Sequence, residues 1–96
     1  MMIGLFISDQ GQSVASIQHA LDHNDIQTAR RIAHTLKGAA ATIGALQLAE
    51  TARQLEVALS VEETTRFPKL MTEAAVILNK TIAAIHNFIS IIQRDT

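Results

Sequence analysis

The stretch that decides the fold is residues 26–43, IQTARRIAHTLKGAAATI. Its apolar residues recur at intervals of three and four, which is the spacing of one face of an α-helix. Asn24 or Asp25 can cap the start of this helix, and Gly44 follows its last residue, as a glycine often does at a helix end. The predicted core face consists of Ile26, Ala29, Ile32, Ala33, Leu36, Ala40 and Ile43.

Three further helical segments flank this stretch. Gly11 weakens the first half of the first helix, and Pro68 is expected in the first turn of the last, where its missing N–H costs little. Successive helices joined by short connections pack as antiparallel neighbours. The predicted fold class is therefore all-α, an antiparallel up-down four-helix bundle that forms one domain over residues 1–96. The predicted helices span residues 5–21, 26–43, 46–59 and 65–93.

The last predicted helix is the longest and has the widest apolar stripe. Its second half carries isoleucines outside the main stripe, namely Ile82, Ile89 and Ile91. This width predicts that the second half touches two neighbouring helices rather than one. The main core-facing stripe is predicted to consist of Leu70, Ala74, Ile77, Leu78, Thr81, Ile85, Phe88 and Ile92.

Composition and charge limit the class of protein. Hydrophobic residues make up 48% of the chain and aromatic residues only 3%, so the core must consist of aliphatic side chains. A net charge of −1 gives no electrostatic footprint for nucleic acid, and the absence of cysteine excludes disulfides and zinc–thiolate sites. We find no signal peptide and no stretch that approaches the roughly 20 apolar residues of a transmembrane helix. The chain is therefore expected to be cytoplasmic, without nucleic-acid partners or direct membrane insertion.

His34 lies in the quoted stretch, on the face opposite its core stripe. Its neighbours on that face are Arg30, Lys37, Gly38 and Ala41. A glycine inside a helix costs about 1 kcal/mol relative to alanine, so Gly38 is unusual there, and it clears space beside the imidazole. An imidazole is partly neutral at physiological pH and then has a free nucleophilic nitrogen, while Lys37 and Arg30 can screen a dianionic group on the ring. The pattern favours a phosphoryl-accepting histidine over an ordinary surface histidine.

The segment HTLKGAAA that begins at His34, followed closely by IGA, resembles the signature of bacterial histidine-phosphotransfer (HPt) domains. The likeness covers roughly residues 5–60. It implies that His34 is the phosphorylated residue, that Lys37 helps to hold the phosphoryl group and that Gly38 gives a partner access. Glu56 matches a family position, one helix further along, at which a glutamine or glutamate often lies near the imidazole.

The resemblance also implies the partners. Members of this family pass phosphoryl groups to and from the aspartate of response-regulator receiver domains, which bring the Mg²⁺, so the chain itself is expected to need no cofactor. Its sequence has no glycine-rich nucleotide loop and no acidic metal cluster, which is consistent with a phosphocarrier of a two-component phosphorelay that is not itself an enzyme. A histidine kinase is the other expected partner. The chain can be a free-standing carrier or a domain of a hybrid sensor kinase tethered to the inner membrane, and the isolated domain is expected to be a monomer.

Apolar residues on the third predicted helix have two possible roles. Leu46, Ala49 and Val57 lie off the core stripe of the third predicted helix, towards the histidine face. They can form an apolar docking patch for a receiver, together with Arg30 and Ala41, or they can pack on a neighbouring helix.

The same sequence is compatible with two other functions. The chain can be the phosphotransfer domain of a chemotaxis-type kinase, phosphorylated directly by an ATP-binding domain, or a helical docking module without phosphoryl chemistry. His19 and His23 have the four-residue spacing of a metal-binding pair, but no third ligand is evident, and a histidine near a helix C-terminus is ordinary. His86 is expected at the boundary of the core rather than in a site.

Overall fold

The described part of the chain is almost entirely helical. The computed structural model describes the backbone of residues 2–94 and the side chains of residues 6–92, and no strand occurs within that backbone. The prediction of an all-α bundle is confirmed. The elements are α1 (Met2–Gln10), α2 (Ser13–Asp22), α3 (Ile26–Thr42), α4 (Leu46–Ser60) and α5 (Phe67–Arg94), with a 3-10 helix at Thr64–Arg66 before α5.

The prediction of one continuous helix over residues 5–21 is wrong. The structure has two helices there, separated by a turn that begins at Gly11. The Gly11 amide still donates to the Ile7 carbonyl at 2.9 Å. A Cβ at this position would lie only 2.6 Å from that oxygen, so the close approach requires a glycine. After the turn, the buried Ser13 hydroxyl donates to the Gln10 carbonyl at 2.8 Å. The hydroxyl thereby provides a partner for a carbonyl at the end of α1, which accommodates the break.

The other helices begin within a few residues of the positions predicted from the sequence. Asp25 caps α3, because its carboxylate accepts hydrogen bonds from the Thr28 amide at 3.1 Å and from the Thr28 hydroxyl at 2.7 Å. These bonds hold the pKa of the Asp25 carboxyl below its ordinary value. Asn24, the other predicted cap, instead adopts a positive φ of 57° at the end of the preceding turn. Pro68 lies in the first turn of α5, as predicted.

Three connections in the bundle reverse the chain in the same way, with one residue at positive φ after the helix. These residues are Asn24, Gly44 and Glu62, with φ values of 57°, 79° and 55°. At the end of α3, the Ala45 amide donates to the Ala40 carbonyl at 2.8 Å, which is the long hydrogen bond of a Schellman cap. Glycine and asparagine tolerate this backbone region, whereas glutamate is strained in it.

Replacing Glu62 with glycine is therefore expected to raise the free energy of unfolding by about 0.5–1 kcal/mol, because the left-handed strain is released. Urea denaturation monitored by circular dichroism measures the change. Glu63 provides the matched control, since its φ is −78° and glycine there relieves nothing. If both glycine variants lose stability equally, positive φ at Glu62 is not a source of strain.

The core is divided into two clusters along the length of the bundle, and Val14 packs against both. The first joins α2 and the start of α5 to α3 and the end of α4, and the second joins α1 and the middle of α5 to the end of α3 and the start of α4. Both clusters are aliphatic apart from Phe6, as the composition predicted. The largest fully buried side chains are Ile17, Leu36, Leu48, Leu55 and Leu59.

The second half of α5 is less covered than predicted. Phe88, Ile91 and Ile92 are 50%, 50% and 43% exposed, so the expectation that they face a core or a second neighbour is wrong. The reason is helix length. The 28 residues of α5 extend over about 42 Å, whereas the 15 residues of α4 and the 10 of α2, the helices on which α5 packs, extend over about 22 and 15 Å. In the second half of α5, Ile85 is buried in the second core cluster and Ile89 packs against it.

The region of α5 is also the one stretch in the described residues long and apolar enough to cross a membrane by length and composition. An 18-residue window within Thr64–Ile92 has a mean hydropathy of 1.5. The prediction that no stretch of the sequence approaches a transmembrane helix in length and apolar composition is therefore wrong for this segment. Only 11% of that window is buried in the bundle, with Leu78 and Ile85 among the buried residues of this helix. Length and composition alone do not distinguish a membrane span from a core helix.

Candidate functional site

The candidate site lies on the outer side of the α3–α4 pair. The two helices run antiparallel because the short turn at residues 43–45 reverses the chain between them. His34 and Glu56 each lie eleven residues from Ala45, so they come to the same level of the bundle. The His34 side chain is 65% exposed, whereas Ala33 and Leu36 on the same helix are fully buried. The helical periodicity of α3 therefore directs the imidazole away from the core, as the sequence predicted.

Glu56 connects His34 with Lys37 through its two carboxylate oxygens. Its Oε2 lies 2.7 Å from His34 Nδ1, and its Oε1 accepts a hydrogen bond from Lys37 Nζ at 2.8 Å. The Glu56 side chain is 21% exposed and that of Lys37 is 33% exposed, so this part of the site is more sheltered than the histidine ring. The carboxylate is thus held by two partners from α3 while it fixes one edge of the imidazole.

The electrostatics of the site keep Glu56 ionised. The Lys37 hydrogen bond is the main cause that lowers the pKa of the Glu56 carboxyl, the His34 hydrogen bond adds to it, and partial burial opposes both. Because the folded-state pKa is lowered, the stabilisation is complete above the ordinary value of 4.5 and is lost as the pH falls through the lower folded value. At neutral pH the carboxylate can only accept hydrogen bonds, so Nδ1 of His34 must carry the proton. In the neutral ring, the lone pair is then on Nε2.

Gly38 and Ala41 leave open space beside the histidine. A Cβ placed on Gly38 meets no heavy atom within 4 Å, so neither the packing nor the backbone of α3 requires a glycine there. Ala41 is exposed on the same side. The small side chains form an uncovered surface one and two turns beyond His34. A rigid partner can therefore approach the ring from this direction.

The remaining residues predicted for partner binding are only partly brought together. Arg30 is exposed one turn before His34 on α3, and Leu46 is 72% exposed at the start of α4. Val57 is exposed and follows Glu56 directly. Ala49, by contrast, is partly buried and packs against the second core cluster, which supports the packing alternative for this residue.

The other histidines lie outside this site. The rings of His19 and His23 are tilted at 41° to one another with centroids 4.3 Å apart, and Nδ1 of His23 lies 2.8 Å from the His19 carbonyl oxygen. His86 is exposed on α5, not at a core boundary as predicted. Among the described residues, no group of three or more His, Asp or Glu side chains is placed to hold a metal ion.

The pairing of Lys37 with Glu56 is the part of the site that sequence reasoning missed. Lys37 was expected to face a phosphoryl group directly, and Glu56 was assigned through the family resemblance alone. Counting outwards from Ala45 could have placed Glu56 opposite His34, since residues equally distant from the turn lie opposite one another in an antiparallel pair. The same count places Lys37 opposite Arg53, so the bond between Lys37 and Glu56 does not follow from it.

One of three comparisons with known proteins gives a match. A family model described as the Hpt domain matches residues 1–88, which is nearly the whole chain. The searches of curated proteins and of solved structures give no significant match. The family model spans α3, α4 and most of α5, and so includes both helices that build the site. The chain therefore belongs to the Hpt family, whose members carry out histidine phosphotransfer in phosphorelay signalling.

Proposed function

We propose that His34 is the residue that carries the phosphoryl group and that Nε2 is the atom to which it is attached. The observation that carries this proposal is the hydrogen bond between Nδ1 and Glu56 at 2.7 Å. It occupies one ring nitrogen and leaves the other on the exposed side of the side chain. None of the other three histidines makes a carboxylate hydrogen bond within the described side chains.

The phosphoryl group moves from an aspartate of the receiver to Nε2 of His34 in one displacement step. The Nε2 lone pair attacks the phosphorus of an aspartyl phosphate on the receiver, an N–P bond forms, and the P–O bond to the aspartate breaks, so that the aspartate leaves as a carboxylate. The imidazole gains a positive charge while Nδ1 keeps its proton. Glu56 faces this developing charge and stabilises it, which lowers the barrier to forming the N–P bond. The reverse reaction returns the phosphoryl group to an aspartate.

Lys37 has two functions in this proposal. Before transfer, its bond to Glu56 holds the carboxylate in position against Nδ1. After transfer, its flexible side chain can turn towards the phosphoryl oxygens, and Arg30 lies one turn away on the other side of His34. Exchange of Lys37 between the carboxylate and the phosphoryl group reconciles its observed partner with the charge compensation expected from the sequence.

The partner in this proposal is a receiver domain that supplies both the aspartate and the Mg²⁺. The open surface at Gly38 and Ala41 gives the receiver access to the ring, and exposed Leu46 and Val57 provide apolar contacts beside it. The chain then acts as a phosphocarrier in the cytoplasm, with no ATP site of its own, and receives its phosphoryl group through a receiver rather than from an ATP-binding domain.

Isotope-edited NMR tests the attachment site. The protein labelled with ¹⁵N is phosphorylated with phosphoramidate or with a phosphorylated receiver, and the ring nitrogens are followed by two-dimensional ¹⁵N–¹H spectra. We expect a large shift of Nε2 in His34, with Nδ1 remaining protonated. Attachment to Nδ1, or to His19, His23 or His86, would disprove the proposal.

Removing the Glu56 side chain tests its positioning role. Glu56→Ala is expected to slow phosphotransfer about tenfold, equivalent to about 1.4 kcal/mol, because one charge-assisted hydrogen bond to the ring is lost. Glu56→Gln is expected to lose less, since an amide oxygen still accepts from Nδ1 but carries no charge. Single-turnover transfer from a phosphorylated receiver measures both rates.

Glu50 provides the matched control for this prediction. It is an exposed carboxylate on the same helix, and it pairs with Arg53 instead of with the site. Glu50→Ala is expected to transfer at the wild-type rate. Equal rates for the Glu50 and Glu56 alanine variants would show that Glu56 does not position the ring.

A further inference from the structure

A second apolar surface lies on α5, away from the histidine. We define the α5 seam as Ile77, Thr81, Ala84, Phe88 and Ile91, which follow one another at alternating intervals of four and three residues. The seam becomes more exposed along the helix, because its first two residues are partly buried and its last three are exposed. Phe88 and Ile91 are each 50% exposed. Alternating intervals of four and three are the spacing by which one helix packs along another in a coiled coil.

The α5 seam diverges from the face by which α5 joins the bundle, because Ile77 at its start still packs on the second core cluster whereas its last residues do not. Leu78 and Ile85 are the buried residues of that inner face, and Ile82 and Ile89 pack beside them on the second core cluster. Phe88 and Ile91 are not among the residues that pack on either cluster. The inner face is therefore already occupied within the monomer, and the exposed end of the seam at Phe88 and Ile91 remains as an additional surface.

The surroundings of the seam show which partner it suits. No Asp, Glu, Lys or Arg occurs from residue 81 to residue 93. Binding to a lipid surface as an amphipathic helix normally requires lysine or arginine along the polar face, whereas here Lys80 and Arg94 only flank the uncharged stretch. An oppositely charged protein likewise has nothing to pair with. An identical uncharged seam has no such requirement, because a two-fold interface brings the same patch of both copies together.

We propose that two copies of this chain associate through their α5 seams, so that the protein is a weak homodimer rather than the monomer expected from its sequence. Phe88 and Ile91 of one copy pack against the seam of the other. The site at His34 lies on α3 and the seam on α5, and α3 and α5 share no extensive contact. Dimerisation therefore does not depend on the proposed phosphotransfer.

The size of the seam sets the strength of the association. The seam has five side chains per copy, and two of them are already partly buried in the monomer, so its area is well below the ~800 Å² per partner of a standard stable interface. Interfaces of this size are typical of weak complexes, so we expect a dissociation constant of about 10–100 µM. The monomer then predominates in dilute solution and the dimer at high concentration.

Sedimentation velocity over concentrations from about 1 to 500 µM tests the proposal. The wild-type chain is expected to shift from monomer to dimer across this range. Phe88→Glu and Ile91→Lys are each expected to weaken association at least tenfold, because a charge is placed in an apolar seam. Circular dichroism of the two variants should match the wild type, since neither side chain packs on a core cluster.

Val61→Glu is the matched control, because Val61 is an apolar residue of similar exposure, 58%, in the turn after α4. This variant is expected to dimerise as the wild type does. A wild-type chain that stays monomeric throughout the range overturns the proposal, as does a dimer that Phe88→Glu and Ile91→Lys leave intact. Flotation with vesicles of phosphatidylcholine and phosphatidylglycerol gives the remaining outcome, since a monomer that binds them through Phe88 would assign the seam to lipid.

Discussion

His34→Gln is expected to abolish phosphoryl labelling by a phosphorylated receiver, a loss of at least about 1,000-fold, while the fold is retained. An amide nitrogen has its lone pair delocalised into the carbonyl and is not a nucleophile under these conditions. The glutamine side chain can nevertheless donate a hydrogen bond to Glu56, in place of the 2.7 Å bond from the ring. The substitution therefore removes the reactive nitrogen while it keeps the polar contact.

Retention of the fold follows from the exposure of the residue. His34 is 65% exposed and lies outside both core clusters, so its replacement is expected to change the free energy of unfolding by no more than about 0.5 kcal/mol. Urea denaturation and the labelling assay on the same preparation separate the two effects. Loss of labelling together with loss of folding would leave the role of His34 unsupported by this variant, and Nε2 attachment by NMR would then decide it.

His86→Gln is the control for the histidine itself. His86 is exposed on α5, on a helix that does not contribute to the site. This variant is expected to be labelled at the wild-type rate and extent. Acid-labile labelling that persists in His34→Gln and disappears in His86→Gln would move the phosphorylation site to α5.

Gly38→Leu is expected to reduce transfer from a receiver at least about 100-fold, equivalent to about 2.7 kcal/mol, without unfolding the protein. A leucine there lies one turn beyond His34 and projects into the space from which the partner approaches. Because a Cβ at Gly38 meets no atom within 4 Å, the side chain extends into solvent rather than into the bundle. Transfer from a small donor such as phosphoramidate is expected to be affected much less, since it does not need the docking surface.

Two further variants separate access from stability. Gly38→Ala is expected to stabilise the protein by about 1 kcal/mol, because alanine is the better helix former and the position has room. Thr35→Leu places the same large side chain on an adjacent exposed position of α3, outside the His34 face, and is expected to transfer normally. If Gly38→Leu and Thr35→Leu slow transfer equally, the glycine does not serve partner access.

Much of the bundle could be predicted because helical spacing depends on local sequence. The core faces of α3 and α4 follow directly from intervals of three and four, and the positive φ at Gly44 ends α3 where the glycine indicated. The break at Gly11 was only partly predictable, since the close approach to the Ile7 carbonyl depends on how the chain turns there. The exposure of Phe88 and Ile91 was not predictable, because the sequence pattern does not give the length over which neighbouring helices cover α5.

Part of the candidate site could likewise be predicted from the sequence, and part could not. The sequence by itself determined which helix carries His34, that it faces away from the core, and that Lys37 and Gly38 lie one turn further along, because these relations lie within a single helix. Only the tertiary structure decided that Glu56 crosses from α4 to bond to both His34 and Lys37. That contact depends on the register between two helices, which is fixed by the turn between them and by the packing of their buried faces, and neither is contained in the periodicity of one segment.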